Sequence, residues 1–247
     1  MAEPLSSLSL WPIGNCQASA LLDGDAGLVW GCVPRVDGDP IFCALMNGER
    51  PHEGVWRFTI EGQVRAVPHY RRNTPILVTR LEAADGSAVD VIDYCPRFER
   101  SGRMYRPVAW VRIVRPVAGS PRIRMNLSPM RDHGADLAPA TRGTNHIRYL
   151  IGTQPIRLTT DAPVGYVMED LCFRVEADLH FFLGPDEPFT GNVAQAVRGM
   201  EEATGQYWRS WVRGLATPMD WQDAVIRAAI TLKLCQHEET GAIVAAL

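Results

Sequence analysis

The sequence RIRMNL at residues 122–127 alternates strictly between polar and apolar side chains. The same alternation occurs in FRVEA at residues 173–177 and in IRY at residues 147–149. Successive side chains of a β-strand point to opposite faces of the sheet, so each segment predicts a strand with one buried face and one solvated face. Repeated along the chain, this pattern is typical of a sandwich of two antiparallel sheets.

Turn sequences separate the apolar segments between residues 10 and 185. Asp85-Gly86, Glu61-Gly62 and the DAG of residues 25–27 each lie between two apolar runs. Glycine adopts positive φ without steric cost and Asp tolerates it, so each of these turns predicts a β-hairpin. Many short strands joined in this way predict a mainly β fold.

The pattern changes after Phe189. Asn192 is a plausible N-cap for one amphipathic helix, because the apolar positions then follow steps of three and four. These positions are Val193, Val197, Met200, Thr204, Trp208, Trp211 and Leu215. After Pro218, a second helix is predicted from Asp220, whose carboxylate would cap the first turn. Its residues Trp221–Cys235 are apolar over most of the circumference, so this helix must pack on several sides.

The composition is that of a soluble globular protein: 247 residues, 46% hydrophobic and 21% charged, with a formal net charge of −3. This balance gives no reason to expect nucleic acid or an anionic membrane as a partner. Residues 1–8 lack the basic and apolar regions of a signal peptide, and no run approaches the roughly 20 apolar residues of a membrane span.

The six cysteines are scattered and form no C-x-x-C pair: Cys16, Cys32, Cys43, Cys95, Cys172 and Cys235. The even number permits disulfides. The spacing favours buried thiols in a reduced, cytoplasmic chain.

The last residues, 241–247, read GAIVAAL and end without a cap or a charged tail. This pattern predicts a chain cut inside a domain. The alternative is a terminal strand or a dimer contact.

Ordered motifs give the chain a family resemblance. They are Ile13-Gly14-Asn15-Cys16-Gln17-Ala18-Ser19-Ala20-Leu21, Gly27-Leu28-Val29-Trp30, Pro34-Arg35-Val36-Asp37, Tyr70-Arg71-Arg72-Asn73-Thr74-Pro75-Ile76-Leu77, Asp85-Gly86 with Val91, Asp93 and Pro96, Trp208-Arg209-Ser210-Trp211, and the sequence from Trp221 to Ala246. Together they resemble the N-terminal part of bacterial family 15 glycoside hydrolases, the glucoamylase/trehalase-like enzymes. One departure is Val36 and Gly38, where the family more often has Phe and Ser.

The resemblance implies an N-terminal antiparallel β-supersandwich, linker helices and a C-terminal (α/α)6 barrel that cleaves α-glycosidic bonds with inversion, using two glutamates. Residues 1–188 would be the supersandwich, 189–218 the linker helix, and 219–247 the first helix and loop of a truncated barrel. The family's glutamates lie beyond Leu247, so no catalytic residue is assigned. The resemblance implies no cofactor, and it implies an α-glucan or trehalose as substrate of the parent enzyme.

Acidic and histidine residues of this segment offer other candidate sites. Asp90 and Asp93 could face a cleft, and the loop with Asp132, His133 and Asp136 could bind a metal. The favoured roles are structural: Asp93 paired with an arginine, the Asp132 loop solvated, and Glu238-Glu239 a solvated helix end. No metal site is assigned, because the histidines are too dispersed: His52, His69, His133, His146, His180 and His237. His146 and His180 are expected on polar strand faces.

Two further residue types suggest ligands. Arginines between residues 97 and 124 could bind nucleic acid, but their alternation favours a solvated sheet face paired with acids. Trp11, Trp30 and Trp56 are the candidate sugar-stacking residues, although strand tryptophans more often lie in a core.

Two functional hypotheses remain. The first is a non-catalytic domain that braces the catalytic barrel of the same chain, with a homo-oligomer through the exposed helix Trp221–Cys235 as a further partner. The alternative is a carbohydrate-binding or free-standing interaction module.

Overall fold

The computed structural model describes residues 8–47, 50, 52–152 and 154–245. The expectations for a signal peptide and for the chain end depend partly on residues 1–7 and 246–247, which lie outside the described residues. The described chain is mainly antiparallel β-structure with its two long helices near the C-terminus, which confirms the predicted fold class.

The elements of the described residues are, in chain order, β1 Trp11–Gly14, β2 Ser19–Leu22, β3 Gly27–Val33, β4 Asp39–Phe42, β5 Val55–Ile60, β6 Gln63–Tyr70, β7 Leu77–Ala83, β8 Ala88–Tyr94, β9 Phe98–Arg100, β10 Arg103–Tyr105, β11 Trp110–Ala118, β12 Arg122–Ser128, β13 Met130–Arg131, β14 Asp136–Leu137, β15 Ala140–Arg142, β16 His146–Ile151, β17 Gln154–Thr160, α1 Val164–Met168, β18 Phe173–Arg174, β19 Leu179–Pro185, α2 Val193–Arg213 and α3 Gln222–Leu234.

Two large sheets contain most of these strands. Within the described residues, the first sheet has seven strands in the order β1-β2-β3-β5-β12-β18, with β4 beside β3. The second has eight strands in the order β15-β16-β17-β19-β11-β8-β7-β6. The segment at 122–127 pairs along β5, with Ile123 and Met125 buried and Leu127 partly buried, as its alternation predicts.

Two of the three predicted hairpins are confirmed. Asp85-Gly86 joins the paired strands β7 and β8, and residues 25–27 join β2 to β3. The prediction for Glu61-Gly62 is wrong, because β5 belongs to the first sheet and β6 to the second. Strand β5 already pairs with β3 and β12, so both of its edges are occupied and β6 pairs with β7 instead.

The strands at the centre of the second sheet are buried on both faces. Val91 and Trp110 point into the core between the sheets, whereas Ile92 and Val111 belong to a second cluster with Val197 of α2. Helix α2 therefore covers the outer face of this sheet. Burial on both faces explains why β8 and β11 show no strict alternation of polar and apolar residues.

A buried ion pair crosses the sandwich. Arg112 Nε donates to Asp93 Oδ1 at 2.6 Å, and both side chains are 1% exposed. The guanidinium also donates to the carbonyl oxygens of Trp56 and of Ala26, on the first-sheet side. The expected arginine partner of Asp93 is thus confirmed, but the expectation of solvated arginines is wrong for Arg112. A buried guanidinium is tolerated because its donors find acceptors.

The two long helices begin differently. Asn192 caps α2 as predicted, since its side chain accepts a hydrogen bond from Gln195 N at 3.0 Å. The predicted Asp220 cap of α3 is wrong: the helix begins at Gln222, after Trp221 in the left-handed region with φ 61°, and its first turn has no side-chain cap.

The cysteines and the hydropathy of the helices complete the description. All six thiols are free, and four of them are buried, as the sequence predicts; Cys172 and Cys235 are partly exposed. Among the described residues, no helix combines the length and apolar character that crossing a membrane requires.

Candidate functional site at the junction of sandwich and helices

Asn15 organises the opening motif. Its side chain is fully buried, and Nδ2 donates to the carbonyl oxygens of Pro96 at 2.9 Å and Pro107 at 2.8 Å. Oδ1 accepts from the backbone N–H groups of Gln17 at 3.0 Å and Ala18 at 2.8 Å. One amide therefore uses its full hydrogen-bonding capacity to connect three segments of the sandwich.

Arg97 connects these segments to the helices. Its guanidinium donates to Asn15 O at 2.7 Å and to Glu238, and it lies 4.8 Å from the ring centroid of Tyr207 in α2. Its backbone N–H donates to Thr204 Oγ1 at 3.1 Å. We call the region where the sandwich meets α2, α3 and residues 235–244 the junction.

Glu238 is the acidic centre of the junction. Arg97 and Arg106 both pair with its carboxylate, the latter at 3.1 Å, and Lys233 Nζ lies 3.1 Å from Oε1. Partial burial raises the pKa of Glu238, but hydrogen bonds from Arg97 and Lys233 outweigh it and hold the pKa below its ordinary value. The expectation of a solvated helix end is therefore wrong for this residue, because three cations from the sandwich and α3 surround it.

The second ordered motif, around Tyr70, also lies at the junction. Tyr70 Oη donates to Pro12 O at 2.8 Å, and the Arg227 guanidinium of α3 lies 4.0 Å from the Tyr70 ring centroid. Arg227 Nη1 also donates to Thr74 O at 3.2 Å. The end of β6 thus presents an aromatic face to α3, and the loop that follows presents a carbonyl oxygen.

Apolar contacts complete the junction. Trp208 of α2 is fully buried in an apolar cluster that α2 and α3 share. The other members of this cluster are Cys16, Val212, Ile226, Ile230 and Leu234. A Cβ atom at Gly14 would come within 2.9 Å of Ala18 O and 3.4 Å of the Leu234 side chain. Gly14 in the opening motif therefore permits the close approach of α3.

The opposite face of α3 has no cover in the described part of the chain. Trp221 is 84% exposed and Leu232 is 55% exposed, with Ala224 and Ala228 also exposed between them. Positions 224, 228 and 232 follow steps of four, so these side chains form one stripe along the helix. Trp221 is exposed immediately before the first turn. We call this stripe, together with Trp221, the outer face of α3.

The candidate sugar-stacking tryptophans are not brought together. Trp56 is fully buried between the sheets, beside Phe42 and Phe58. Trp30 and Trp11 are each half-buried, and the register pairs Trp30 with Leu21 and Leu21 with Pro12. Because neighbouring residues of a strand point to opposite faces, Trp11 and Trp30 lie on different faces of the first sheet.

The other candidate residues have structural partners. Arg80 pairs with Asp90, and Arg131 lies 3.6 Å from both Asp132 and Asp136 in an exposed loop. Among the described residues, no group of three or more His, Cys, Asp or Glu side chains is placed to hold a metal ion.

The placement of one histidine contradicts the prediction. His180 was expected on a polar face but is 1% exposed. Asp161 accepts from its backbone N–H at 2.7 Å and lies 2.7 Å from its Nδ1, so the buried ring has a polar partner. The alternation around His180 predicts a solvated face only when no other element covers it, and the outer side of this sheet is covered.

Sequence reasoning missed the roles of Asn15, Arg97 and Arg227. The signal for the first was present: Asn15 lies inside an otherwise apolar motif, where a polar side chain requires internal partners. Nothing local in the sequence indicates that Arg97 and Glu238, 141 positions apart, would pair.

Comparison with known proteins gives one family. The family model described as "Trehalase-like, N-terminal" matches residues 1–171. Curated trehalases of Mycolicibacterium smegmatis and Mycobacterium tuberculosis are 25% and 24% identical to the chain, over 95% of its length. A trehalase of Thermoplasma volcanium is 21% identical over the same share. No solved structure matches the chain.

The chain spans 38% of the length of these curated relatives. The family match extends over the opening motif, the Tyr70 motif and most of the sandwich that receives the helices. The chain belongs to the trehalase-like N-terminal domain family.

Proposed function

We propose that this chain is the non-catalytic N-terminal domain of an inverting α-glycoside hydrolase of family 15, of the glucoamylase, trehalase or glucodextranase type. It braces a catalytic (α/α)6 barrel of the same protein. Residues 1–188 form the supersandwich domain, 189–218 the linker helix, and 219–247 the first helix and loop of the barrel. The family match and the trehalase relatives, which are longer than this chain, support the proposal.

The outer face of α3 carries the argument. The inner face of the same helix, with Ile226, Ile230 and Leu234, is already buried at the junction. A helix with apolar side chains on two faces needs a second partner. Ala224 and Ala228 leave room for the side chains of an adjacent helix, and Trp221 and Leu232 flank that room.

Burying the outer face of α3 against a partner would be favourable in free energy. Burying one large apolar side chain stabilises a protein by about 1.5–3 kcal/mol. Trp221 and Leu232 therefore favour a partner at this face by at most two such increments. In the parent enzyme this free energy would fix the barrel on the sandwich.

The described carboxylates support a non-catalytic role. An inverting glycosidase needs an acid and a base carboxyl about 6.5–9.5 Å apart, with room for water. Asp90, Asp93 and Glu238 are instead neutralised by arginines. We expect the chain alone to release no glucose from trehalose, maltose or dextrin.

The test is to read the gene beyond the codon for Leu247 and to express the longer product. We expect it to encode a helical repeat with an Arg-Asn-Trp-Asp-like motif, and the longer product to release glucose from an α-glucoside. The double variant Trp221→Asp/Leu232→Asp should lose most of this activity, because charges cannot be buried at the interface without pairing. Val64→Asp is the matched control, since Val64 is 66% exposed near the start of β6, whereas α3 contacts Tyr70 at the other end of that strand. Full activity in the double variant would contradict the proposal, as would turnover by the 247-residue chain.

Self-association is the second use of the same face. The chain alone exposes the outer face of α3, so we expect it to form dimers by sedimentation analysis. The same double variant should remain monomeric, and a concentration-independent monomer in the unmodified chain would argue against this partner.

A further inference from the structure

A cavity of about 290 Å³ lies beside the junction. One wall is the turn from Cys16 to Ala18 together with the loop at residues 35–37, and the other is the segment that follows α3. This segment folds back on itself, since Val244 N donates to Cys235 O at 2.9 Å and His237 N to Ala242 O at 2.8 Å. The cavity is therefore bounded by backbone that hydrogen bonds hold in place.

Charged groups of both signs line the cavity. On the sandwich wall, Arg35 donates to Asp37 through Nε at 2.9 Å and Nη2 at 2.7 Å. On the facing wall are His237 and Glu239. The hydrogen bond from Arg35 holds the pKa of Asp37 below its ordinary value, and the charge of His237 acts in the same direction. Arg35 and Asp37 thus neutralise each other on the sandwich wall, and Glu239 remains as the uncompensated charge, which disfavours an anionic ligand.

The remaining lining supplies amides and an apolar floor. Gln17 and Gln236 add donors and acceptors, and Val36, Leu234 and Val244 add apolar surface. Small-molecule sites combine such an apolar surface with a few convergent polar groups. Planar groups that both donate and accept hydrogen bonds match adjacent hydroxyls, each of which is a donor and an acceptor.

We propose that this cavity binds a small neutral sugar, with Asp37 and Glu239 accepting hydrogen bonds from its hydroxyl groups. Its volume of about 290 Å³ lies just below the range of about 300–1,000 Å³ for ligand sites, which suits one or two sugar rings and not a polymer chain. The choice of a sugar among neutral polyols rests on the proposed function. The position of the cavity rests on the geometry alone.

Calorimetric titration of the chain with trehalose and with glucose tests the proposal. We expect saturable heat with at least one of them, and binding at least ten-fold weaker in Asp37→Asn and in Glu239→Gln. Both variants should fold, because Asp37 is 64% exposed in its side chain and Glu239 is also exposed. The matched control is Glu61→Gln, which removes an exposed carboxylate that pairs with Arg122 at 3.0 Å outside the cavity.

Alkylation of two thiols, with and without sugar, tests whether the sugar binds in this cavity. Cys235 lines the cavity and is partly exposed, whereas Cys172 is partly exposed and lies outside its lining. Burial raises the pKa of Cys235, so alkylation is followed at mildly alkaline pH by mass spectrometry. Saturating sugar should slow labelling of Cys235 and leave Cys172 unchanged.

Each other outcome overturns the proposal. These outcomes are no heat with either sugar, heat with sulfate in place of sugar, unchanged affinity in both variants, or equal labelling of Cys235 with and without ligand. The outer face of α3 is not part of the cavity lining, so loss of sugar binding leaves the barrel-docking experiment unaffected, and the two proposals fail separately.

Discussion

Helices α2 and α3 follow each other in the chain but differ in how they are packed. Helix α2 has 21 residues, a side-chain cap, and one buried face on the second sheet and at the junction. Helix α3 has 13 residues, no side-chain cap at its start, and apolar side chains on two opposite faces. The sandwich covers the whole apolar face of α2. It covers only one of the two apolar faces of α3.

The largest expected effect is at the inner side of α2. Trp208→Ala should destabilise the chain by about 3–5 kcal/mol, because it leaves a large cavity in the cluster shared with α3. Chemical denaturation followed by circular dichroism measures this change. Trp221→Ala, on the outer face of α3, is the matched control and should change stability by less than about 0.5 kcal/mol at protein concentrations where the chain is monomeric. Equal losses would mean that the two tryptophans are buried alike.

The next effect concerns the inner and outer faces of α3. Ile230→Ala should cost about 2–4 kcal/mol, since Ile230 is 1% exposed. Leu232→Ala should cost little in the same denaturation experiment. If Leu232→Ala were as damaging as Ile230→Ala in the monomer, the outer face would be covered within this chain.

The ion pairs of Glu238 make the stability of the junction depend on pH. Its pKa is lowered in the folded chain, so its contribution to stability is present above the pKa of the unfolded chain and is lost as the pH falls through the folded value. Calorimetry should show that the native chain has a higher melting temperature than the Glu238→Gln variant at neutral pH. This difference in melting temperature should disappear in acid. Glu61→Gln, in an exposed pair, should show little difference at any pH. A difference that grows on acidification would contradict this sign.

The smallest expected effect is at the cap of α2. Asn192→Ala should cost about 1 kcal/mol, because Gln195 N loses its hydrogen-bond acceptor. Urea denaturation measures this loss, and Gln206→Ala, on the exposed side of the same helix, is the control. A loss of several kcal/mol would mean that Asn192 has packing contacts beyond its cap.

The sequence-based predictions succeeded where the cause is local in sequence and failed where it depends on the surrounding structure. The alternation at 122–127 and the turn at Asp85-Gly86 depend on neighbouring residues, and both predictions are confirmed. The hairpin at Glu61-Gly62 and the polar face of His180 depended on what lay beside them in space, and both predictions are wrong. The prediction of an amphipathic helix for α2 is confirmed, but the buried face of α2 also includes Glu201, whose carboxylate pairs with Arg71.

By itself, the sequence determined the strands, the amphipathic helix with its cap and the family resemblance, because periodicity, turn residues and ordered motifs are local properties. Only the tertiary structure decided that Asn15, Arg97 and Glu238 meet at one junction, that Arg112 lies between the sheets, and that α3 keeps one apolar face uncovered. These features join residues far apart in the chain, and their energies depend on burial and on partners that no local pattern specifies.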